Sequence, residues 1–378
     1  MSTPVSTIPA LAPGDRLLCG PGPSNVHPDV LQAMHLPMNG HLDPDFWDLL
    51  LDLGAGLQAL WRRTDGLSLC FSASGSSGME AGLTNLIEPG DRVIAIHSGF
   101  FGARIAEMAR RHEADLVELT APLGGVVPLE EIEQALRAHP DAKLVTVVHA
   151  ETSTGVRYPV PEIAELLRAV APDTLLLVDA VTSLGGERVE AQAWGIDYGY
   201  SCSQKSLGCP PGLSPFTISE RALEVARAKK RPAPFTYDID LLHRYWVERP
   251  ITYHHTMPIL QYYALYEGIR LALEEGLENR WARHEDAGRY FQAQMAERGY
   301  TFLSDPEHQL WELSAVHVPD GVDGKEVQTR ILREHGIEIG GGLGPTAPPI
   351  WRVGLMGVNA NRETADRVLA AFDAVLPR

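Results

Sequence analysis

Thr174-Leu175-Leu176-Leu177-Val178-Asp179 is an apolar run closed by a carboxylate. Farther along, Ile196-Asp197-Tyr198-Gly199-Tyr200-Ser201-Cys202-Ser203-Gln204-Lys205 is a second strand-like run closed by an amine. The 26 positions from Asp179 to Lys205 have room for one crossover and one further strand. Strands with no polar alternation are buried on both faces, the pattern of a parallel sheet covered by helices. In such sheets ligands bind beyond the carboxyl ends of the strands, where both charges fall.

Outward from this pair, strand-like and helix-like segments alternate. Ser68–Ser72, Arg92–Ile96, Lys143–Val148, Thr174–Val178, Asp197–Ser201 and Pro215–Ile218 read as strands. Helices are expected from the Gly/Ser turn after Ser72 to Ile87, and over Ala103–Arg111, Leu129–Ala138 and Pro161–Val170. This predicts an α/β fold with a mainly parallel central sheet sandwiched by helices. Beyond Ile259–Leu277 comes a second region. It has a helix at Trp281–Arg298, short strands near Gln309–Val318, a helix at Gly324–Glu334 and a Gly-rich loop. A strand at Ile350–Leu355 and a last helix at Arg362–Leu376 follow, with Asn361 as its N-cap. We therefore expect an N-terminal extended arm over 1–19, a large domain over 20–275 and a small C-terminal α+β domain over 276–378.

Composition narrows the function classes. A chain of 378 residues with 44% hydrophobic content suits a two-domain globular protein. A net charge of −17 disfavours nucleic acid and anionic membranes as partners. No apolar run is long enough for a membrane span, and Met1–Ala10 lacks the basic start and apolar stretch of a signal peptide. The four cysteines, Cys19, Cys70, Cys202 and Cys209, form no CxxC pair and read as reduced thiols of a cytoplasmic protein.

Taken alone, Asp179 reads as a turn aspartate and Lys205 as a solvated loop lysine. Together, at neighbouring strand ends, they match what pyridoxal phosphate chemistry requires. The lysine holds the aldehyde, and the carboxylate keeps the pyridine nitrogen protonated so that the ring accepts electrons. Ser72-Ala73-Ser74-Gly75-Ser76-Ser77-Gly78 lies between a strand and a helix, where backbone N–H groups and hydroxyls suit a phosphate, although an ordinary strand–helix turn has the same composition. It is neither a Walker loop nor a dinucleotide fingerprint. Arg352, within Ile350-Trp351-Arg352-Val353-Gly354-Leu355, is suited to bidentate capture of a carboxylate, or to an internal salt bridge. Tyr253-His254-His255-Thr256 offers a phenol and a hydroxyl for the same phosphate, and adjacent histidines without further ligand spacing argue against a metal. Of Phe100 and Phe101, one is available to stack on a cofactor ring.

In this order the motifs resemble the fold-type I, class V aminotransferases, in particular the alanine–glyoxylate / serine–pyruvate aminotransferase group. The resemblance runs from Gly20-Pro21-Gly22-Pro23-Ser24-Asn25 to the final helix. It includes Glu151-Thr152-Ser153-Thr154-Gly155, Val178-Asp179-Ala180-Val181-Thr182-Ser183-Leu184-Gly185-Gly186, Gly199–Lys205, Tyr253–Thr256 and Gly341-Gly342-Leu343-Gly344-Pro345. It implies pyridoxal 5'-phosphate as cofactor and ping-pong exchange, through pyridoxamine phosphate, between a small L-amino acid and a small 2-oxo acid. Lys205 would bind the aldehyde and shuttle the α-proton. Asp179 would pair with the pyridine nitrogen, Val181 and Phe101 would flank the ring, and Thr152 would contact it. Ser74, Gly75, Ser76 and Gln204 would hold the phosphate. Tyr253 and Thr256 would reach it from the partner subunit of a homodimer. Arg352 would bind the substrate carboxylate, and Gly22, Asn39 and Gly40 would line its pocket.

Two positions depart from the animal enzymes of the group: Phe101 stands where they have Trp, and Ser76 where they have His. No peroxisomal tripeptide closes the chain, which ends Leu376-Pro377-Arg378. A cysteine desulfurase is disfavoured because no cysteine follows Cys209. Transaminases of the group that use ureidoglycine or pyridoxamine stay open. A dehydrogenase would need an early GxGxxG turn, which the sequence lacks.

Overall fold

The computed structural model describes residues 11–344 and 347–376. Met1–Ala10, the start of the expected arm, and the final Pro377–Arg378 lie outside the described residues. The central sheet has seven strands: β1 Leu67–Phe71, β2 Arg92–His97, β3 Asp115–Thr120, β4 Leu144–Val148, β5 Leu175–Asp179, β6 Tyr198–Tyr200 and β7 Ser214–Ile218. Their spatial order is β1-β7-β6-β5-β4-β2-β3. Only β7 runs antiparallel to its neighbours. Every residue of β4 and β5 is buried, which is why these strands read as unbroken apolar runs.

Helices cover the sheet, among them α1 Pro44–Trp61, α2 Gly75–Leu86, α3 Phe100–Arg111, α4 Val160–Val170 and α5 Ile259–Glu275. Their apolar faces join the strands in one core, from Val30 to Trp281. A second core gathers Leu17, Cys19, Ala287, Phe291, Trp351 and Phe372, among others. Around it lie helix α6 Leu277–Glu297, strands β8 Leu313–His317, β9 Gly340–Gly341 and β10 Ile350–Gly354, and helices α7 Gly324–His335 and α8 Arg362–Val375. Asn361 caps α8, accepting from the Thr364 N–H at 2.8 Å.

Several elements differ from the sequence reading, among them unassigned helices at Pro28–Ala33, Glu220–Ala228 and Ile239–Val247 and the three that follow. Strand β3 was unassigned because an edge strand with alternating exposure carries charge, here Asp115 and Glu118. Helix α1 was also unassigned, although Asp43 and Pro44 mark its start and its last turn closes at Arg62 with φ 52°. Helix α3 starts at Phe100 instead of Ala103, because its cap comes from a distant segment.

Candidate active site

The carboxyl ends of β1, β2, β4, β5 and β6 open on one side of the sheet. There a cavity of about 170 Å³ is lined by Ser74, Gly75, Ser76, Phe101, Thr152, Asp179, Val181, Gln204 and Lys205, together with Met79, Val148, Ala150, Thr182 and Cys202. The cavity thus gathers, within one chain, nine of the fifteen residues that the sequence analysis assigned to the site.

Asp179 ends β5 and is 3% exposed. Its Oδ1 accepts from the Val181 N–H at 2.8 Å, and its Oδ2 accepts from the Tyr200 hydroxyl at 2.5 Å. Register makes this second contact, since Asp179 and Tyr200 are paired residues of β5 and β6. Burial pushes the Asp179 carboxyl up to about 6, against the pull of these two donors. Lys205 follows β6, and its Nζ donates to the carbonyl of Pro21. Burial lowers its pKa from the ordinary lysine value, and Arg352 adds to that lowering. The N-terminal segment holds the lysine from the other side: the Ser24 hydroxyl donates to the Lys205 carbonyl at 2.8 Å. Gly22, at φ 104°, must lack a side chain, because a Cβ there would overlap the lysine chain.

The Gly/Ser turn leads into α2. Ser74 caps that helix, and a Cβ on Gly75 would press on Val181 at 3.1 Å and Cys202 at 3.2 Å. The Gln204 amide oxygen is buried without a hydrogen-bond partner among the described residues. A helix start and a glycine cradle are suited to an anion. Arg352 lies on β10 of the smaller sheet, 7% exposed. Its Nε donates to the Gly341 carbonyl at 2.6 Å and its Nη1 to the Thr152 carbonyl at 3.3 Å.

Of the six assigned residues outside this lining, Gly22 and Arg352 pack against its members Lys205 and Thr152, and four lie apart from it. The Tyr263 hydroxyl donates to Asn39 Oδ1 at 2.9 Å, and Gly40 has open space around it. Tyr253 is 55% exposed, its ring 5.6 Å from that of His41 and its hydroxyl 3.2 Å from Thr256 Oγ1. The four residues thus border one surface, away from Lys205.

The structure adds residues that sequence reasoning missed. Tyr200 was quoted without a role. Glu151, 1% exposed, accepts from the N–H groups of Phe101 and Gly102 at 2.9 and 3.1 Å through Oε2, and from the Ser153 hydroxyl at 2.6 Å through Oε1. It caps α3 and so fixes the start of the helix that carries Phe101. Gly99 permits this approach, since a Cβ there would collide with the Glu151 side chain. The available signal was a carboxylate at the head of the Thr-Ser-Thr run.

A mainly parallel sheet with a lysine and a buried carboxylate in one glycine-cradled cup at its carboxyl edge defines a transferase of the fold-type I kind. Known proteins agree. The Aminotransferase class-V family profile matches residues 65–358. Alanine–glyoxylate aminotransferase of Mus musculus is 39% identical over 365 residues, covering 96% of this chain and 87% of that protein. Among solved structures, alanine–glyoxylate aminotransferase from Nostoc sp. superposes with a TM-score of 0.94 at 45% identity, covering 98% of both chains. Ureidoglycine–glyoxylate aminotransferase from Bacillus subtilis does so with a TM-score of 0.93 at 36% identity, covering 97% of this chain and 94% of that one. The chain belongs to the class V aminotransferases.

Proposed function

We propose that this enzyme moves the amino group between a small L-amino acid, alanine or serine, and a small 2-oxo acid, glyoxylate or pyruvate, with pyridoxal 5'-phosphate held in the cup. The observation that carries this reading is buried Asp179 and half-buried Lys205 lining one cavity with the Gly75 cradle. The residues fit the cofactor. A protonated pyridine nitrogen gives Asp179 the cationic partner that its burial calls for. Ser74, Gly75, Ser76 and the NH2 group of Gln204 suit the phosphate, and Val181, Phe101 and Thr152 suit the ring.

When bound, the cofactor supplies an electron sink for the charge left at the substrate α-carbon. Asp179 holds the positive end of that sink. Lys205, its pKa lowered by burial, is the amine placed to remove the α-proton and return a proton in the second half of the exchange. Arg352 binds the substrate carboxylate, oriented by the Gly341 and Thr152 carbonyls. One arginine serves donor and acceptor because both carry a carboxylate beside the reacting carbon. Gly22 keeps the wall beside the amine thin.

The enzyme is further read as a homodimer in which Tyr253 and Thr256 reach the phosphate of the partner subunit's site, with Asn39 and Gly40 at its rim. Four exposed apolar side chains, Leu31, Leu36, Met38 and Leu42, support an interface there. A division near residue 276 into a large and a small domain, with an arm over 1–19, is read from two main cores, although Leu17 and Cys19 pack in the second core and Leu277 and Trp281 in the first. Four free, buried cysteines support a cytoplasmic setting. No helix of the described residues is long and apolar enough to cross a membrane.

The test is the absorption spectrum of the purified protein before and after L-alanine, and separately L-serine. The visible cofactor band should bleach with the true donor and return with glyoxylate or pyruvate. Absence of a visible band after incubation with pyridoxal phosphate, or a band unchanged in Lys205→Ala, would overturn the site assignment. The likeness to the ureidoglycine enzyme favours a second reading, with that donor in place of alanine. It is decided by which donor bleaches the band.

A further inference from the structure

Arg104 belongs to none of the motifs that define the site, yet it touches the cup from behind. It lies in the second turn of α3, and its Nη1 donates to the Ser76 hydroxyl at 3.2 Å. Its guanidinium carbon is 4.8 Å from the centroid of the Phe100 ring and 5.2 Å from that of Phe101. The two rings meet edge to face at 5.6 Å, so the guanidinium lies against a formed aromatic corner. Its partners are a hydroxyl and two rings, with no carboxylate among the described residues to neutralise it.

Two physical consequences follow. A serine hydroxyl that accepts a hydrogen bond from a guanidinium keeps its own hydrogen free to donate. Ser76 is thereby fixed as a donor, and polarisation by the cation strengthens that donation. Among the described residues lining the cup, Lys205 is the only cation, and its amine is held at Pro21. A phosphate dianion in the cup therefore needs a second positive charge, which Arg104 brings within one hydroxyl of it.

We propose that Arg104 is a positioning residue for the cofactor phosphate: through Ser76 it sets the direction of a hydrogen bond to the phosphate, and it supplies the cup's second positive charge. The inference rests on the reading of Ser76 and Phe101 as cofactor contacts.

The test compares pyridoxal phosphate with pyridoxal, which has the same ring and no phosphate, as ligands of cofactor-free protein. Binding is read by visible absorption and by protection against thermal unfolding. Arg104→Gln should weaken pyridoxal phosphate by about tenfold to a hundredfold and leave pyridoxal unchanged. Arg104→Lys should recover part of the loss. Ser76→Ala should lose a similar factor, and the double variant should be little worse than either single one, because they break one relay. Ser76→Ala also tests the relay if Arg104→Gln fails to fold. Equal weakening of both ligands, unchanged affinity for both, or additive losses would overturn the inference while leaving the cofactor reading intact. Wild-type protein that takes up no pyridoxal phosphate would overturn both.

Discussion

Asp179 accepts hydrogen bonds only from neutral donors, the Val181 N–H and the Tyr200 hydroxyl, and is raised to about 6 by burial. A carboxyl in that position titrates close to neutrality until a cation faces it. Asp179→Asn keeps the shape and removes the charge. It should lower kcat by about a hundredfold to a thousandfold with KM changed only a few-fold, as measured by steady-state kinetics with either half of the substrate pair. At this scale the sequence was informative where chemistry and strand ends coincide, as at Asp179, Lys205 and the Ser74–Ser76 turn. It was silent on Tyr200, because only the pairing register of β5 and β6 brings that hydroxyl to the carboxylate.

Helix α3 depends on a side chain from a segment about fifty positions away. Gly99 provides no side-chain cap, and Glu151 takes the exposed N–H groups of Phe101 and Gly102. A buried carboxylate at a helix start gains from both the hydrogen bonds and the helix dipole. Glu151→Ala should therefore destabilise the protein by about 1–2 kcal/mol, read from denaturant midpoints, and weaken cofactor binding by shifting Phe101. Helix starts of this kind cannot be read locally, which explains why α3 begins three residues ahead of the sequence reading. Edge strand β3 was missed for the complementary reason: its alternating charges resemble a loop until a parallel neighbour, β2, pairs with it.

The two cores meet at charged seams. Arg280 of α6 donates to the carbonyls of Gly185 and Ser206, at 2.8 and 2.6 Å, and bridges to Glu275. Nearby, Glu187 and Glu312 are both buried, with Arg157 paired to Glu187 alone at 2.7 Å. Neither Glu312 oxygen, nor Glu187 Oε2, has a hydrogen-bond partner among the described residues. Burial drives the Glu312 carboxyl well above the usual range, and the neighbouring Glu187 adds to this, while Arg157 opposes it. Glu285 also faces Glu187. A carboxyl whose pKa is raised by folding contributes stability while protonated and loses it as pH rises through the folded value. Wild-type stability should fall towards alkaline pH by up to about 1.4 kcal/mol per pH unit, and Glu312→Gln should flatten that slope, both read from urea midpoints. The same scale tests the shared site. Mixed and refolded, Lys205→Ala chains and Tyr253→Ala/Thr256→Ala chains should form heterodimers with one intact site each, restoring about a quarter of wild-type activity. A mixture no more active than its parents would rule out sharing. The sheet and its chemistry were legible in the sequence, whereas the seams and the Tyr253 surface arise only when segments distant in sequence meet.

The segment beside the lysine carries one further consequence, for biosynthesis. Leu17 and Leu18 pair with Ile337 and Glu338, 320 positions away, and the Gly354 N–H donates to the Cys19 carbonyl at 2.8 Å. Residues 17–19 therefore find these partners only after the chain has been made through about residue 354. Pro21 and Gly22, which close over Lys205, follow directly from that anchor. A chain that stops short of residue 337 lacks the anchor that holds this cover in place. A closed pocket thus reports that the far strand has arrived.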